Sequence, residues 1–349
     1  MAPAVAEPKA EVIVPNFNGQ KFLGPCLDSL LNQSYKNFSV TVVDNASRDG
    51  SVELVKRGYP RVSLIENEGN AGFAGGCNVA LRKGLAGDAD FFVLANSDIV
   101  ADPAWLKELV TAAGADERIG LCQSLILLAD EPARINTAGN EAHFLGFGFC
   151  GHYREEDRGQ FSETVEVPFA SGSALLVRRR LLEDIGLLDE RLFMYQEDLD
   201  LSWRARLAGW RIVLAPRSRA YHNYSFDRNN DKYYFLERNR LLVSLKNYGG
   251  RSLLVLAPAF LGAELAMLAW AAAGGWLPQK LRGYVFLAKN AGVLLEERRQ
   301  VQQRRRAADR LVASFWTDKM AFENLQDSRL ARIANPVSTW YWKLARRLI

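Results

Sequence analysis

Residues 11–56 read EVIVPNFNGQKFLGPCLDSLLNQSYKNFSVTVVDNASRDGSVELVK, and the alternation of patterns within them decides the fold. Glu11–Pro15 is a short, apolar, β-branched run, which reads as a buried strand. Lys21–Asn32 sets Phe22, Cys26, Leu27, Leu30 and Leu31 at helical spacing. Ser39–Val43 is a second strand that ends at Asp44, and Ser51–Lys56 starts a second helix after Asp49-Gly50. The alternation continues outward with a third strand at Val62–Ile65, a helix holding Asn78–Gly84, and a fourth strand at Phe91–Ala95. Strands alternating with helices predict an α/β fold, a parallel, doubly wound sheet with helices on both faces. Ligands of such sheets bind beyond the carboxyl ends of the strands. Polar residues cluster there: Asn16, Asp44 and Asn96-Ser97-Asp98.

Farther along, Ile119–Leu128 and Val165–Val177 read as strands. Arg134–Arg158, rich in glycine, histidine and aromatic residues, reads as a loop over the site. From Leu187 the chain runs into a helix ending near Gly209, and RIVLAP (211–216) is another strand. A shift near Gly249-Gly250 divides the chain into 1–248 and a helical region, 249–349. The 349 residues are 48% hydrophobic and 24% charged. That composition excludes disordered and collagen-like chains. Four cysteines, Cys26, Cys77, Cys122 and Cys150, show no CxxC pairing, so neither a disulfide framework nor a zinc knuckle is expected. The N-terminus lacks a basic head before an apolar run and does not read as a secretory signal. A cytosolic location is the expectation.

Charge is unevenly placed. From Arg251 onward there are 16 basic and 7 acidic residues, whereas the first 250 residues carry a net negative charge. A basic rear behind an acidic front points to an anionic surface met by the rear alone. Leu253–Ala273 holds 18 hydrophobic residues among 21. At 1.5 Å per residue it is about 32 Å long, against a bilayer core of about 30 Å. Eight alanines, Pro258 and Glu264 weaken a spanning reading, because an acid in hydrocarbon costs about 2.5–3.5 kcal/mol. A helix lying in or on a membrane is preferred, with a buried helix of the soluble fold as the alternative. The stretch EERRQVQQRRRAADR and the closing WYWKLARRLI suit a headgroup zone.

Five features carry chemistry. Asp44 opens DNASRDG at a strand end, where a carboxylate can accept the imide N–H of a pyrimidine, while Asp49 or Ser51 caps the following helix. GNAGFAGGCN (69–78) lets backbone approach a phosphate or sugar, but it is not a dinucleotide fingerprint. Asn96 and Asp98, two apart, suit a hard divalent cation shared with a diphosphate. Glu197, Asp198 and Asp200 place three acids within four positions, which raises the proton affinity of at least one and suits a general base. Helix-dipole stabilisation is the plainer account of them. His222 follows a strand and can ligate a metal.

In this order and spacing the features resemble family 2 glycosyltransferases of the GT-A fold, closest to the bacterial rhamnosyltransferase-like subgroup. The resemblance rests on VIVPNFNG, VVDNASRDGS, NEGNAGFAGGCN, LANSD, SGSALLVRR, FMYQEDLDLSWRARLAGWRI, His222 and ERNR (237–240), over about Val12 to Arg240. It implies a Rossmann-like, mostly parallel mixed sheet and a metal-dependent, inverting transfer of a sugar from a dTDP- or UDP-linked donor. Asp198 would be the base with Glu197 beside it. Pro15, Asn16, Asp44, Asn70, Gly72, Asn78 and Asn96 would contact the nucleotide sugar. Asp98 and His222 would hold Mg2+ or Mn2+. The widespread motif form is Asp-x-Asp, so Asn96 is a departure that removes one charge. Acceptors of the subgroup are often polyprenyl-diphosphate saccharides, which implies an enzyme peripheral to the inner face of the cell membrane. The resemblance leaves a homo-oligomer open.

Other classes fit less well. A non-catalytic scaffold binding partners through its basic rear draws slight support from Asn96. A nucleotidyltransferase would show a Gly-rich basic loop after the first strand, where this chain has PNFNGQKF. No Rossmann glycine pattern follows Val14, which counts against a dehydrogenase. The Arg-rich segment lacks interleaved aromatics, so no nucleic acid is expected as a partner.

Overall fold

Successive residues of the central strands bury on opposite faces, and this period of two builds two cores at once. Val12, Val14, Val40, Val42 and Val93 meet Leu23, Leu27, Trp105 and Leu109 on one side. Ile13, Val43, Phe92 and Leu94 meet Ala74, Leu81, Leu201 and Ala205 on the other. The computed structural model describes residues 7–224, 230–320 and 329–349. Residues 1–6, which belong to the stretch read as lacking a secretory signal, lie outside them.

The strands are β1 (Ala10–Asn16), β2 (Phe38–Asp44), β3 (Ser63–Glu66), β4 (Phe91–Ala95), β5 (Ile99–Ala101), β6 (Ile119–Leu128), β7 (Ile135–Thr137), β8 (Asn140–Ala142), β9 (Gly148–Cys150), β10 (Val165–Glu166), β11 (Ala174–Arg178) and β12 (Arg211–His222). The main sheet runs β3-β2-β1-β4-β11-β6-β12-β10, with β5 on β12 and β7 on β6. β3, β2, β1 and β4 are parallel. β11 lies antiparallel between β4 and β6, and β12 is parallel to β6. One reversed strand therefore restores the direction beyond it. The carboxyl ends of β1, β2, β4 and β12 share a single rim.

Helices α1 (Gln20–Leu31), α2 (Ser51–Gly58), α3 (Gly72–Leu85), α4 (Trp105–Gly114), α5 (Arg179–Ile185) and α6 (Glu197–Leu207) complete the two-sided layer. α7 (Asn230–Asn247), α8 (Gly250–Ala273), α9 (Leu277–Lys289), α10 (Ala291–Arg304), α11 (Asp309–Ala313) and α12 (Arg329–Ala345) follow. They share a third core with the sheet domain, in which Phe144, Phe169, Trp203 and Tyr248 meet Leu256, Trp316 and Trp342.

Several local expectations change. Residues 72–77, read as loop, form the first turns of α3. Gly72 takes φ +69°, and a Cβ there would lie 2.3 Å from the Phe193 carbonyl oxygen. The expected loop at 134–158 contains β7 and the β8–β9 hairpin, and Val165–Val177 is two strands rather than one. RIVLAP does not end at Pro216: β12 continues to His222 through a register shift between Ala215 and Arg219. Such a bulge accommodates a proline that has no N–H for the ladder. Cys26, Cys77 and Cys122 are buried thiols in separate parts of the core, outside any disulfide.

α8 is the one helix among the described residues long and apolar enough to cross a membrane, by length and composition alone. Glu264 does not face lipid. Its carboxylate meets Arg240, Lys280 at 2.8 Å and the Tyr284 hydroxyl at 2.5 Å. Much of the basic stretch is also occupied by the fold. Arg298 and Arg305 donate to carbonyls at the end of α7, and Arg306 pairs with Asp184 at 2.6 Å.

Candidate active site

Asn16 and Asp44 are register partners at the ends of β1 and β2, and both are buried. Asn16 Nδ2 donates to Asp44 Oδ1 at 2.9 Å, and the Ser47 N–H donates to Oδ2 at 2.8 Å. Asp44 therefore shapes the turn as well as standing at the rim. Asp49 accepts from the N–H groups of Gln20 and Ser51, but the N-cap of α2 is Gly50, with no side-chain cap from Asp49 or Ser51. Pro15 and Asn45 lie against Gly76, where any Cβ would come 2.8 Å from Asn45 Nδ2. Asn70 is exposed, and its Oδ1 accepts from the Gly72 N–H at 2.9 Å, ordering the entry to α3. Asn78 is different. It is buried, donating to Leu188 O and Glu190 Oε1 and accepting from Leu188 N, so it braces the segment ahead of α6.

Asn96, Asp98 and His222 come together, although 126 positions separate the first from the last. β5 makes this possible: Ile99 pairs with His222 in the antiparallel ladder. His222 Nδ1 lies 3.0 Å from Asn136 Oδ1. An amide oxygen only accepts, so Nδ1 carries a hydrogen and Nε2 is the nitrogen turned to the rim. Nε2 is 3.1 Å from Asp98 Oδ1 and 3.3 Å from Asn96 Nδ2. A proton on Nε2, or a cation, would join the ring to the Asp98 carboxylate. The donor set suits a divalent cation that takes its remaining ligands from a diphosphate or water. Among the described residues no group of three His, Cys, Asp or Glu forms such a site. Asn96 and Asp98 sit in a turn rather than on an extended segment. Asn136, which fixes the tautomer, was missed because nothing local in INT distinguishes it.

Asp198 connects to this rim through the loop before β11. Its Oδ2 accepts from the Gly172 N–H at 3.2 Å, and the neighbouring Ser173 carbonyl accepts from the Asn96 N–H at 3.0 Å. The structure divides the labour of the three acids, all in the first turn of α6. Burial raises Asp198 above the usual carboxylate range, against opposing hydrogen bonds from Gly172 and Leu199. Glu197 is buried, and burial with the Asp198 charge raises it well above that range; its Oε2 has no partner. Asp200 is lowered: burial opposes its charge, but Lys246 and Arg204, both within 2.8 Å, prevail.

The segment entering α6 is strained. Phe193, Tyr195 and Gln196 have φ of +63°, +67° and +71°. Such values are uncommon for residues other than glycine and persist where surroundings enforce them. The ERNR motif does so. Asn239 Nδ2 reaches the carbonyls of Leu192, Met194 and Tyr195 at 2.8–2.9 Å, and Arg238 donates to those of Arg191 and Leu192. By contrast Trp203, Arg178 and Arg179 serve the fold. Trp203 packs edge-on against Tyr248 and Trp316, and the two arginines donate to backbone carbonyls.

A cavity of about 610 Å3 has Asp198 and Glu197 in its wall, with Phe149, Tyr195, Tyr233 and Trp270. Asp44 and Asp98 are not among its walls. Asp44 and Asp98 thus follow strands whose carboxyl ends share one rim, while Asp198 is tied to Asn96 through Gly172 and Ser173 and faces a chamber of its own.

A sequence model of the family described as Glycosyl transferase family 2 matches residues 11–186. The N-acetylglucosaminyl-diphospho-decaprenol L-rhamnosyltransferase of Mycobacterium tuberculosis is 30% identical over 238 residues, 63% of this chain and 78% of its own length. Among solved structures, a mannosyltransferase of Pyrobaculum calidifontis in complex with GDP-Man and Mn2+ superposes with a TM-score of 0.51 at 21% identity, covering 86% of this chain and 85% of that one. S. aureus TarS with UDP-GlcNAc gives 0.53 at 18% identity over 97% and 90%. These likenesses carry the fold, which is the GT-A architecture expected from the sequence.

Proposed function

We propose, on the premise that the chain belongs to glycosyl transferase family 2, that it moves a sugar, rhamnose or a related hexose, from a dTDP- or UDP-linked donor to a saccharide acceptor carried on a polyprenyl lipid. The setting is bacterial cell-surface polysaccharide synthesis. The observation that carries this reading is the Asp198 carboxylate, raised by burial, open to a chamber and tied through Gly172 and Ser173 to the Asn96–Asp98–His222 cluster. The acceptor class is supported by the name of the M. tuberculosis relative.

The chemistry is a single displacement with inversion. A bond forms from the acceptor oxygen to the anomeric carbon as the bond to the diphosphate breaks. Asp198 takes the hydroxyl proton. Asp98 and His222, with Asn96 beside them, would hold Mg2+ or Mn2+, which supplies neutralisation of charge on the departing diphosphate. Asp44 and Asn16 line the rim where the pyrimidine and ribose would lie, with Pro15, Asn70 and Gly72 shaping the entry. Incubating the protein with a panel of nucleotide sugars and an N-acetylglucosaminyl-diphospho-prenol tests the reading. Lipid-soluble product is expected, and chelation by EDTA should abolish it. No product from any dTDP- or UDP-sugar would refute the assignment.

The same reading places the enzyme at the inner membrane face. Leu254, Leu261 and Leu265 project from one side of α8 at 78%, 63% and 61% exposure, while Leu256 on the opposite side is buried. Trp340 and Val337 stand exposed on α12, which packs on α8 through Tyr341. Arg251, Lys343, Arg346 and Arg347 flank this face and are exposed. An apolar stripe edged by cations matches an anionic bilayer surface. Replacing all three leucines by Gln should release the protein from sedimented phosphatidylglycerol vesicles without changing its circular dichroism; unchanged sedimentation would remove the docking face. Point changes serve better than truncation after Gly250, which would strip Glu264 and Lys280 from Arg240.

A further inference from the structure

The chamber that Asp198 faces is built by both halves of the chain. Phe149, Phe169 and Tyr195 come from the sheet domain, and Met267, Trp270 and Trp276 from the helical region. Its size is within the usual range for small-molecule pockets, about 300–1,000 Å3. Trp270, Trp276 and Tyr233 form an aromatic corner in the wall. Tyr233 stacks on Trp276 at 4.9 Å and 18°, and Trp270 stands edge-on to both, at 5.9 Å and 5.3 Å. The corner is braced. The Gly274 N–H bonds to the Trp270 carbonyl at 2.8 Å, and a Cβ on Gly274 would lie 2.9 Å from Trp276 Nε1.

We propose that this corner is the acceptor-sugar subsite, with Trp270 as its specificity-determining residue; the inference rests on the transferase reading above. A chamber with a basic carboxylate in one wall and rigid rings in another matches a saccharide. The apolar face of a pyranose lies on an indole, and its hydroxyl edge is directed at the carboxylate. A purely hydrocarbon ligand would strip water from Asp198 and leave it only the Gly172 and Leu199 N–H groups. The aromatic rings are held rigid before the ligand arrives, so little side-chain freedom is lost on binding. The outer side of α8 carries the apolar stripe and its inner side carries Trp270. One helix thereby sets the chamber at the depth of a lipid-linked sugar's headgroup.

The test is titration calorimetry of an N-acetylglucosaminyl-diphospho-prenol of short chain into the full-length protein with UDP present. Two variants are compared, Trp270→Phe and Trp270→Leu, both smaller than the indole, which differ from each other chiefly in having a ring. Trp270→Leu should weaken acceptor binding about tenfold, the worth of one stacked ring. Trp270→Phe should stay near the native affinity, and the UDP-induced rise in melting temperature should be unaltered in both. Equal acceptor affinities for the Phe and Leu variants would overturn the subsite, as would loss of UDP binding in parallel. Turnover reads a different thing. Acceptor binding without any sugar transfer would refute the transferase reading, whereas transfer with unaltered acceptor affinity in Trp270→Leu would refute the subsite alone.

Discussion

Replacing Asp198 by Asn will lower sugar transfer at least about a hundredfold, since a positioned general base contributes roughly 10²–10⁴-fold. The donor should still bind, because Asp44, Asp98 and His222 stand on other elements, and Asp198 is tied to Asn96 through the 172–173 backbone. A melting-temperature shift with UDP-sugar checks binding, and product formation checks chemistry. The pH profile adds a sign. The base works only when ionised, and burial raises its pKa, so the rate must climb with pH through a limb above the ordinary carboxylate range. Burial and the Asp198 charge raise Glu197 well above its usual value, whereas the Gly172 and Leu199 N–H groups favour the ionised form of Asp198. Glu197→Gln should therefore leave that limb in place. An active Asp198→Asn enzyme would eliminate the base, and a limb displaced by Glu197→Gln would assign the titration to the wrong acid.

What could be read in advance was whatever depends on local pattern. Short apolar, β-branched runs and helical spacing place β1, α1, β2 and β4 to within a residue or two, and the strand-end rule points to Asn16, Asp44 and Asp98 at one rim. Long-range chemistry was not legible. Glu264 looked like a charge stranded in an apolar helix because Arg240 and Lys280, 24 and 16 residues away, are invisible to a window of 21. The acidic triplet looked uniform, yet Lys246 from α7 makes Asp200 an ion-pair partner and leaves Asp198 for the chamber. ERNR matched a family pattern without a role. Its function, holding carbonyls of a left-handed segment, exists only after α7 has packed. The apolar rear reads as a helix lying in or on a membrane, or else as a buried one, and the structure gives α8 one exposed side and one side packed inward. Its inner side lines the site.

Arg240→Met should be strongly destabilising, because Arg240 on α7 is where the helical region is fastened to the rest of the fold. Arg240 is fully buried, donating to Glu237 at 2.9 and 3.1 Å, to the Leu145 carbonyl at 3.2 Å and to Glu264. Lys280 closes the quartet, 2.6 Å from Glu237 and 2.8 Å from Glu264. Burial alone would raise both carboxyls, yet Arg240 and Lys280 hold them lowered and ionised. Removing one cation leaves a buried negative charge uncompensated, which costs about 3–5 kcal/mol. The half-exposed pair of Arg211 with Glu166 and Asp116 is the control, because exposed pairs contribute about 0–1 kcal/mol. Urea unfolding should show a much lower midpoint for Arg240→Met than for Arg211→Met. The quartet also fastens α8 and α9 to α7, so acceptor binding at Trp270 should weaken in Arg240→Met at urea concentrations where UDP binding persists. Equal midpoints for the two variants would mean that the quartet is solvated, and that the helical region does not depend on it to hold the chamber wall in place.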